Sequence, residues 1–184
     1  MDRALFIRIN QSHILPMNQL MVLLTNYGRE IVWSIVGVAL ALKGGKAGRK
    51  AAIIMFLTVL VLIPTGIIAK QLVARPRPVV PDNDFLIAAD LDFAFPSGHA
   101  LITSAFAAVL LAMFRSSRKQ MLFSILMSIE AALVCFSRVY VGAHYPLDVV
   151  GGIILGTGMA MLLVAWQEQL DKRVFQRIYK SIAR

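Results

Sequence analysis

The chain has 184 residues, 58% of them hydrophobic, and a mean hydropathy of +0.72. Soluble domains carry roughly 45–50% apolar residues, so this composition excludes an ordinary soluble globule and points to one membrane-embedded domain over residues 1–184. The net charge of +9, from 19 basic and 10 acidic side chains, argues for no nucleic-acid partner, because most of it falls in short loops between apolar runs, as in cytoplasmic membrane loops. The single cysteine, Cys135, sits in an apolar run. It leaves no intrachain disulfide and no cysteine metal cluster, and it reads as a small buried hydrophobe.

Residues 3–9 alternate apolar and basic positions in a stretch too short to cross a bilayer, which suits an interfacial helix within an interfacial N-terminal segment, 1–22. Asp2, Arg3, Arg8 and Asn10 leave no apolar core for a cleavable signal. Residues 14–25 are apolar but interrupted by Pro16, Asn18 and Gln19, and alone are too short to span. A first span is expected from about Leu23 to Leu42. Lys43–Lys50 carries four cations and no acid and reads as a cytoplasmic hairpin loop. Ala51–Ala69 is an uncharged run of 19 residues, a second span that tolerates Pro64 and Gly66 and ends at Lys70. Lys70–Pro96 is a long connection with Pro76, Pro78, Pro81 and Pro96 and the acids Asp82, Asp84, Asp90 and Asp92. It reads as an outside loop, with a re-entrant or interfacial turn near Phe85–Ala89.

Ser97–Phe114 is the third span, 115–120 a second basic inner loop, Met121–Ser137 the fourth span and Val149–Trp166 the fifth. Gly152 and Gly156 in the fifth form a small-xxx-small pair that admits close helix approach. The amphipathic tail, 167–184, with Lys172, Arg173, Arg177, Lys180 and Arg184, is expected on the cytoplasmic face near anionic lipid. The expected fold is all-α: an integral-membrane bundle of five helices, or six if residues 14–25 cross.

Three polar segments fall on the side opposite the basic loops. Lys70, Arg75 and Arg77 cluster at a helix exit stiffened by Pro76 and Pro78. Clustered cations repel unless an anion lies between them, and phosphate matches both the Arg fork and the Lys point charge. A lipid-headgroup anchor is the plainer reading, but three cations on this side run against the positive-inside pattern. Pro96-Ser97-Gly98-His99 opens the third span, where free N–H groups and the helix dipole favour an anion. The third segment, Ser137–Asp148, places Arg138, His144 and Asp148 between two apolar runs, and such a group at a membrane helix mouth is costly unless it does chemistry. Pro146 near the first helical position puts Asp148 in the first turn, within reach of the His144 imidazole. A carboxylate on one ring nitrogen fixes the tautomer and frees the other as base or nucleophile. Two of the three histidines thus meet the cations on one face, whereas His13 lies outside and is expected at the interface. The neighbouring arginines and lysine would repel a metal ion, so no metal and no cofactor are expected. Glu130 lies on the Arg138 face but about 12 Å deeper, too far for the phosphate. A buried structural partner is its favoured role over lipid entry.

These segments resemble the three signature motifs of the type-2 phosphatidic-acid phosphatase family of membrane lipid phosphatases. Lys70, six residues, then Arg77-Pro78 matches the first, and Pro96–His99 the second. Ser137-Arg138, five residues, His144, three residues, then Asp148 matches the third. Short members of that family are helical bundles of five or six spans that need no metal. The resemblance implies that His144 attacks phosphorus to form a phosphohistidine, Asp148 orients it, and His99 protonates the leaving oxygen. It implies too that Lys70, Arg77, Arg138, Ser97 and the Gly98 amide hold the phosphoryl oxygens. Arg75 is outside the motif and is expected to back the site or meet a headgroup.

The expected reaction is hydrolysis of a lipid phosphate or diphosphate at the extracytoplasmic face of the cell membrane. A polyprenyl diphosphate such as undecaprenyl diphosphate is favoured, because the small size and two inner loops resemble short bacterial members that recycle carrier lipids. Alternatives are a phosphatidylglycerophosphate or phosphatidate phosphatase and a lipid phosphotransferase. A lipid-binding or transporter subunit is the non-enzymatic one, but it has no use for a His144–Asp148 pair. Membrane lipids are the other expected partners, and vanadate is expected to inhibit as a five-coordinate phosphate mimic.

Overall fold

A computed structural model describes residues 2–79, 86–87 and 90–170. The expected turn near Phe85–Ala89 and the tail beyond residue 170 lie largely or wholly outside these residues. The described chain is helical and contains no strand. Its elements are α1 (Asp2–Asn10), α2 (Leu15–Leu23), a π-helical segment (Leu24–Val32), α3 (Trp33–Lys43), α4 (Gly45–Val73), α5 (Gly98–Met113), α6 (Arg118–Tyr140), α7 (Pro146–Ala165) and the short α8 (Gln167–Leu170).

Pro16 was read as an interruption, but it marks a beginning. Ile14 is extended, Pro16 occupies the first turn of α2, and proline is tolerated there because its missing N–H would be unpaired anyway. The junction residues Leu24 and Val32 are right-handed helical, so one helical path runs from Leu15 to Lys43, and the expected first span lies inside it. Asn18 is half-buried, and its Oδ1 accepts the Tyr140 hydroxyl at 2.8 Å. Helix α4 continues past Lys70 to Val73 and stops at Ala74, whose left-handed backbone (φ 47°) donates its N–H to the Lys70 carbonyl at 2.9 Å. Lys70 thus sits in the last turn, where the helix dipole favours a cation.

Helices α4, α6 and α7 are long and apolar enough to cross a membrane, and the chain is an all-helical, multi-pass membrane protein. Helix α5 has 16 residues and is buried on nearly every side from Ala100 to Leu110, as expected of a helix that is apolar all round. It packs against α4, α6 and α7. Its closest neighbour is α7, through Gly152 and Gly156. A Cβ at Gly152 would lie 2.7 Å from the Ser97 carbonyl oxygen, and one at Gly156 would press on the Leu101 carbonyl oxygen and lie 2.7 Å from Ser104 Oγ. The small-xxx-small pair therefore seats α7 directly against the head of α5. Trp33, Leu62, Phe106 and Leu110 anchor the main core, while large apolar side chains such as Phe56, Leu60, Leu126 and Ile154 remain exposed, which suits a lipid surround. The α3–α4 and α5–α6 hairpins share one end, where Lys43, Gly44, Phe114 and Lys119 line a common groove. The polar motifs gather at the other end.

Candidate active site

His144 comes from the short connection between α6 and α7. Gly142 turns that connection with φ 86°, a conformation that L side chains rarely adopt. The Ala143 and His144 N–H groups both donate to the Arg138 carbonyl at 3.1 Å, tying the loop to the end of α6. The imidazole is 2% exposed. Its Nε2 lies 3.2 Å from Arg77 Nη1 and its Nδ1 3.9 Å from Asp148 Oδ2. The second distance is longer than a hydrogen bond, and Nδ1 is buried without a partner. Burial pushes the His144 pKa down, Asp148 pulls it up, and Arg138 and Arg77 push it down again, to about 4. The ring is neutral near pH 7, as a nucleophile must be.

Asp148 occupies the first turn of α7, with Pro146 opening the helix as its position predicts. It is 0% exposed. Its Oδ2 accepts the Tyr145 N–H at 2.9 Å and its Oδ1 accepts Arg75 Nη1 at 2.6 Å. The Asp148 carbonyl accepts the Ser97 N–H at 3.0 Å, so the second and third motifs meet through backbone as well.

The cations form a connected cradle. Arg77 Nη1 donates to the Ala143 carbonyl at 2.8 Å and pairs with Asp90 Oδ2 at 3.0 Å, while its Nε donates to the Asp92 carbonyl at 2.9 Å and its Nη2 pairs with the Asp92 carboxylate. Arg138 Nη1 donates to Thr25 Oγ1 at 2.6 Å and its Nη2 to Asp90 Oδ2 at 2.9 Å. Lys70 Nζ reaches Asp92 Oδ2 at 2.7 Å and the Phe93 carbonyl at 2.5 Å. Burial pushes the Asp92 carboxyl up, but Lys70 and Arg77 outweigh it and hold the group at about 2. Asp90 and Asp92 thus satisfy the cations where a phosphate's oxygens are expected. Ser97 Oγ and Arg138 Nε are buried without a hydrogen-bond partner, which is rare for such groups and calls for an explanation. An oxyanion accepts from both.

His99 stands in the first turn of α5. Its Nε2 is 3.0 Å from the Thr25 carbonyl and its Nδ1 3.4 Å from Arg29 Nη1. The pattern fits a ring that donates from Nε2 to the carbonyl and accepts at Nδ1. Thr25 therefore links His99 to Arg138, and Asp90 links Arg138 to Arg77 and so to His144. Gly98 is the first residue of α5, and a Cβ there would lie 3.5 Å from Arg29 Nη1. The structure thus brings Lys70, Arg77, Ser97, Gly98, His99, Arg138, His144 and Asp148 to one end of the bundle. Among the described residues no cluster of three or more metal-ligating side chains occurs.

Several contributors had no motif to mark them: Thr25 and Arg29 from the π-helical segment, Asp90 and Asp92 from the loop, and Asp2 on Arg75. π-Helical turns are often found at functional sites, but a composition of Thr25, Gly28 and Arg29 does not announce one. Four acids in a loop otherwise crowded with cations was the one available hint. Of the side chains set aside from the sequence, His13 Nε2 bonds the Tyr140 carbonyl at 2.8 Å away from the site. Glu130 Oε2 accepts Trp33 Nε1 at 2.8 Å, the structural partnership expected of it.

Residues 49–172 match the PAP2 superfamily. The chain belongs to that superfamily. Among curated relatives, this PAP2 chain is 42% identical over 162 residues to an undecaprenyl-diphosphatase of Sulfolobus acidocaldarius, covering 87% of this chain and 75% of the relative. It is 28% identical over 173 residues to undecaprenyl-diphosphatase BcrC of Bacillus subtilis, covering 92% and 86%. Among solved structures, a transmembrane PAP2 type phosphatidylglycerolphosphate phosphatase from Bacillus subtilis superposes with a TM-score of 0.68 at 23% identity, over 92% of this chain and 85% of the other. Family, relatives and apolar helices together make the PAP2 chain a membrane lipid phosphatase.

Proposed function

We propose that this PAP2 protein removes the terminal phosphate of a polyprenyl diphosphate, undecaprenyl diphosphate or a close analogue, through a phosphohistidine on His144. The observation that carries the reading is the buried, neutral imidazole with Nε2 at the Arg77 guanidinium and Nδ1 facing Asp148. A phosphoryl group on Arg77 and Arg138 would meet Nε2 directly.

In the first step the Nε2 lone pair attacks the terminal phosphorus, and the bond to the bridging oxygen breaks. The incoming phosphate anion favours the protonated form of His99, and that imidazolium gives a proton to the bridging oxygen, releasing the polyprenyl monophosphate and leaving His99 neutral. In the second step water attacks the phosphohistidine, gives a proton to His99, and inorganic phosphate leaves with His144 regenerated. Asp148 compensates the positive imidazole in between. Lys70, Arg77, Arg138, Ser97 Oγ and the Gly98 N–H hold the phosphoryl oxygens. Preorganised donors of this kind are worth about 3–4 kcal/mol each in transition-state stabilisation, and a placed general acid contributes about 10²–10⁴-fold.

The part of the lipid chain next to the diphosphate would lie in a groove of about 620 Å³ between α3 and α4, lined by Trp33, Val38, Met55, Phe56 and Phe106, with Arg29 and Glu30 at its head. Arg29 also touches His99, so a cation stands beside the leaving oxygen. That position suits a diphosphate, whose leaving group keeps its own negative charge. We read residues 15–43 and α4 to α7 as five membrane passages. The basic hairpins then face the cytoplasm and the site faces outward, by the positive-inside rule.

The test is phosphate release by purified protein from undecaprenyl diphosphate, phosphatidylglycerophosphate, phosphatidate and a soluble monoester, in EDTA, beside His144→Ala. Release that survives EDTA and vanishes in the variant supports the mechanism, and the preferred lipid names the substrate. Activity retained by His144→Ala would remove the phosphohistidine. Transfer of label to an acceptor lipid in place of free phosphate would make the protein a phosphotransferase.

A further inference from the structure

Arg75 joins two carboxylates that lie 73 residues away from it on either side. Its Nη1 donates to Asp148 Oδ1 at 2.6 Å and its Nη2 to Asp2 Oδ2 at 2.5 Å. The guanidinium carbon lies 4.5 Å from the centre of the Tyr145 ring, a cation–π distance. The other oxygen of Asp2 accepts the Leu147 N–H at 3.0 Å, one of the unpaired donors in the first turn of α7. The Arg75 carbonyl accepts the Ala94 N–H at 2.8 Å, which holds the backbone in register. Helix α1 is docked by the same surface: Phe6 packs edge-on against Tyr145 at 5.2 Å, and Asn10 Nδ2 donates to the Val139 carbonyl at 3.0 Å.

We propose that Arg75 is a positioning residue that fixes the Asp148 carboxylate beside His144, and that Asp2 on the docked helix α1 locks Arg75 in place. The inference rests on His144 being the nucleophile. Asp148 has two side-chain oxygens and two fixed donors, Arg75 on Oδ1 and the Tyr145 N–H on Oδ2. Both hold the carboxylate in one orientation, with Oδ2 turned to the imidazole. Without Arg75, Oδ1 loses its donor and the buried carboxylate loses its compensating charge. It is then free to leave the orientation that points Oδ2 at the imidazole, and its uncompensated charge stabilises the protonated ring. A planar guanidinium can bridge two carboxylates where an ammonium serves only as a point charge. That geometry explains why arginine stands here.

The pH profile separates this role from a merely structural one. The charged and titratable groups around His144 are Asp148 from α7, Arg138 from α6, His99 from α5, and Arg77 with its partners Asp90 and Asp92 from the loop. Arg75 and Asp2 stand behind Asp148. Arg75→Gln removes the charge behind Asp148 together with the bridge to Asp2, and an uncompensated carboxylate within reach raises an imidazole's proton affinity by roughly one to three pH units. The expected result is an acid limb of kcat/KM displaced to higher pH by at least one unit, with kcat at neutral pH reduced roughly 10- to 100-fold by the misplaced carboxylate and KM little changed. Arg75→Lys should restore the limb towards the wild-type position while recovering kcat only in part, and Asp2→Asn should lower kcat without moving KM. An unshifted limb with wild-type kcat in Arg75→Gln would overturn the inference. So would a loss confined to KM, which would make Arg75 a headgroup contact. Should Arg75→Gln fail to fold, Asp2→Asn and Arg75→Lys decide by the same readouts, and wild-type kcat in both would overturn it. His144→Ala in the same assay separates the two questions. Activity surviving there defeats the nucleophile assignment, whereas activity lost there with an unmoved Arg75→Gln profile defeats only the positioning role.

Discussion

Asp90→Asn tests whether the loop carboxylates compete with substrate. Asp90 Oδ2 lies 3.0 Å from Arg77 Nη1 and 2.9 Å from Arg138 Nη2, so one oxygen occupies two donors that the proposed mechanism gives to phosphate. Hydrogen bonds to charged groups contribute about 1.5–3 kcal/mol each when buried. The Asp90 side chain is 45% exposed, which screens the pairs towards the ~0–1 kcal/mol of surface ion pairs. A total of about 1–2 kcal/mol for the two contacts is therefore reasonable, a factor of roughly 5–30 in an equilibrium constant. The neutral amide keeps the shape and removes most of this competition. The vanadate inhibition constant of Asp90→Asn should fall by that factor, measured by phosphate release in mixed micelles, and KM for the lipid should fall with it while kcat does not rise. An inhibition constant unchanged or weakened would refute the reasoning, for Asp90 would then be building the cradle that phosphate needs.

Three further outcomes follow from the structure. His144 is held at about 4, so it stays neutral as pH falls through the usual imidazole range, and kcat/KM should retain its value well below pH 6 and drop only near pH 4. The linked stability has the opposite reach: the unfolded imidazole takes up a proton between about 6.5 and 4 while the folded one does not, so this contribution is full above pH 6.5 and declines towards pH 4. A melting series in detergent across that range reads the sign. Gly156→Ala places a Cβ against the Leu101 backbone carbonyl and Ser104 Oγ. Because a backbone atom cannot swing aside, α7 must move off α5, at a cost of about 1–3 kcal/mol. Thermal unfolding of the variant should be lowered, and activity should fall with it, since the same contact seats Asp148 against Ser97.

Much of this protein is local and therefore legible. Apolar runs separated by basic stretches must be helices joined by short turns, because an unpaired backbone is not tolerated in lipid, but Lys43–Lys50 is not the expected loop: Lys43 ends α3, α4 begins at Gly45, and Gly44 alone makes the turn. The Gly152–Gly156 spacing announced a close helix approach, whose partner only the packing named as α5, and Pro146 and Asp148 announced the first turn of α7. The motif residues were legible because each motif is short, and its chemistry needs those side-chain types at those spacings. Boundaries set by competition were misread: Pro16 and Asn18 look like a break in isolation, but the first opens a helix and the second bonds the Tyr140 hydroxyl from α6. What the tertiary structure alone decided is how the charges are shared. Asp90 rather than a neighbouring acid bridges Arg77 and Arg138, Thr25 ties Arg138 to His99, and Arg75 faces Asp148 and Asp2 rather than lipid headgroups. Ion pairs have no periodicity along a chain, and these partners stand between 13 and 113 residues apart. Only the packing of α1, the π-helical segment and the outer loop onto the ends of α5, α6 and α7 determines which carboxylate reaches which cation.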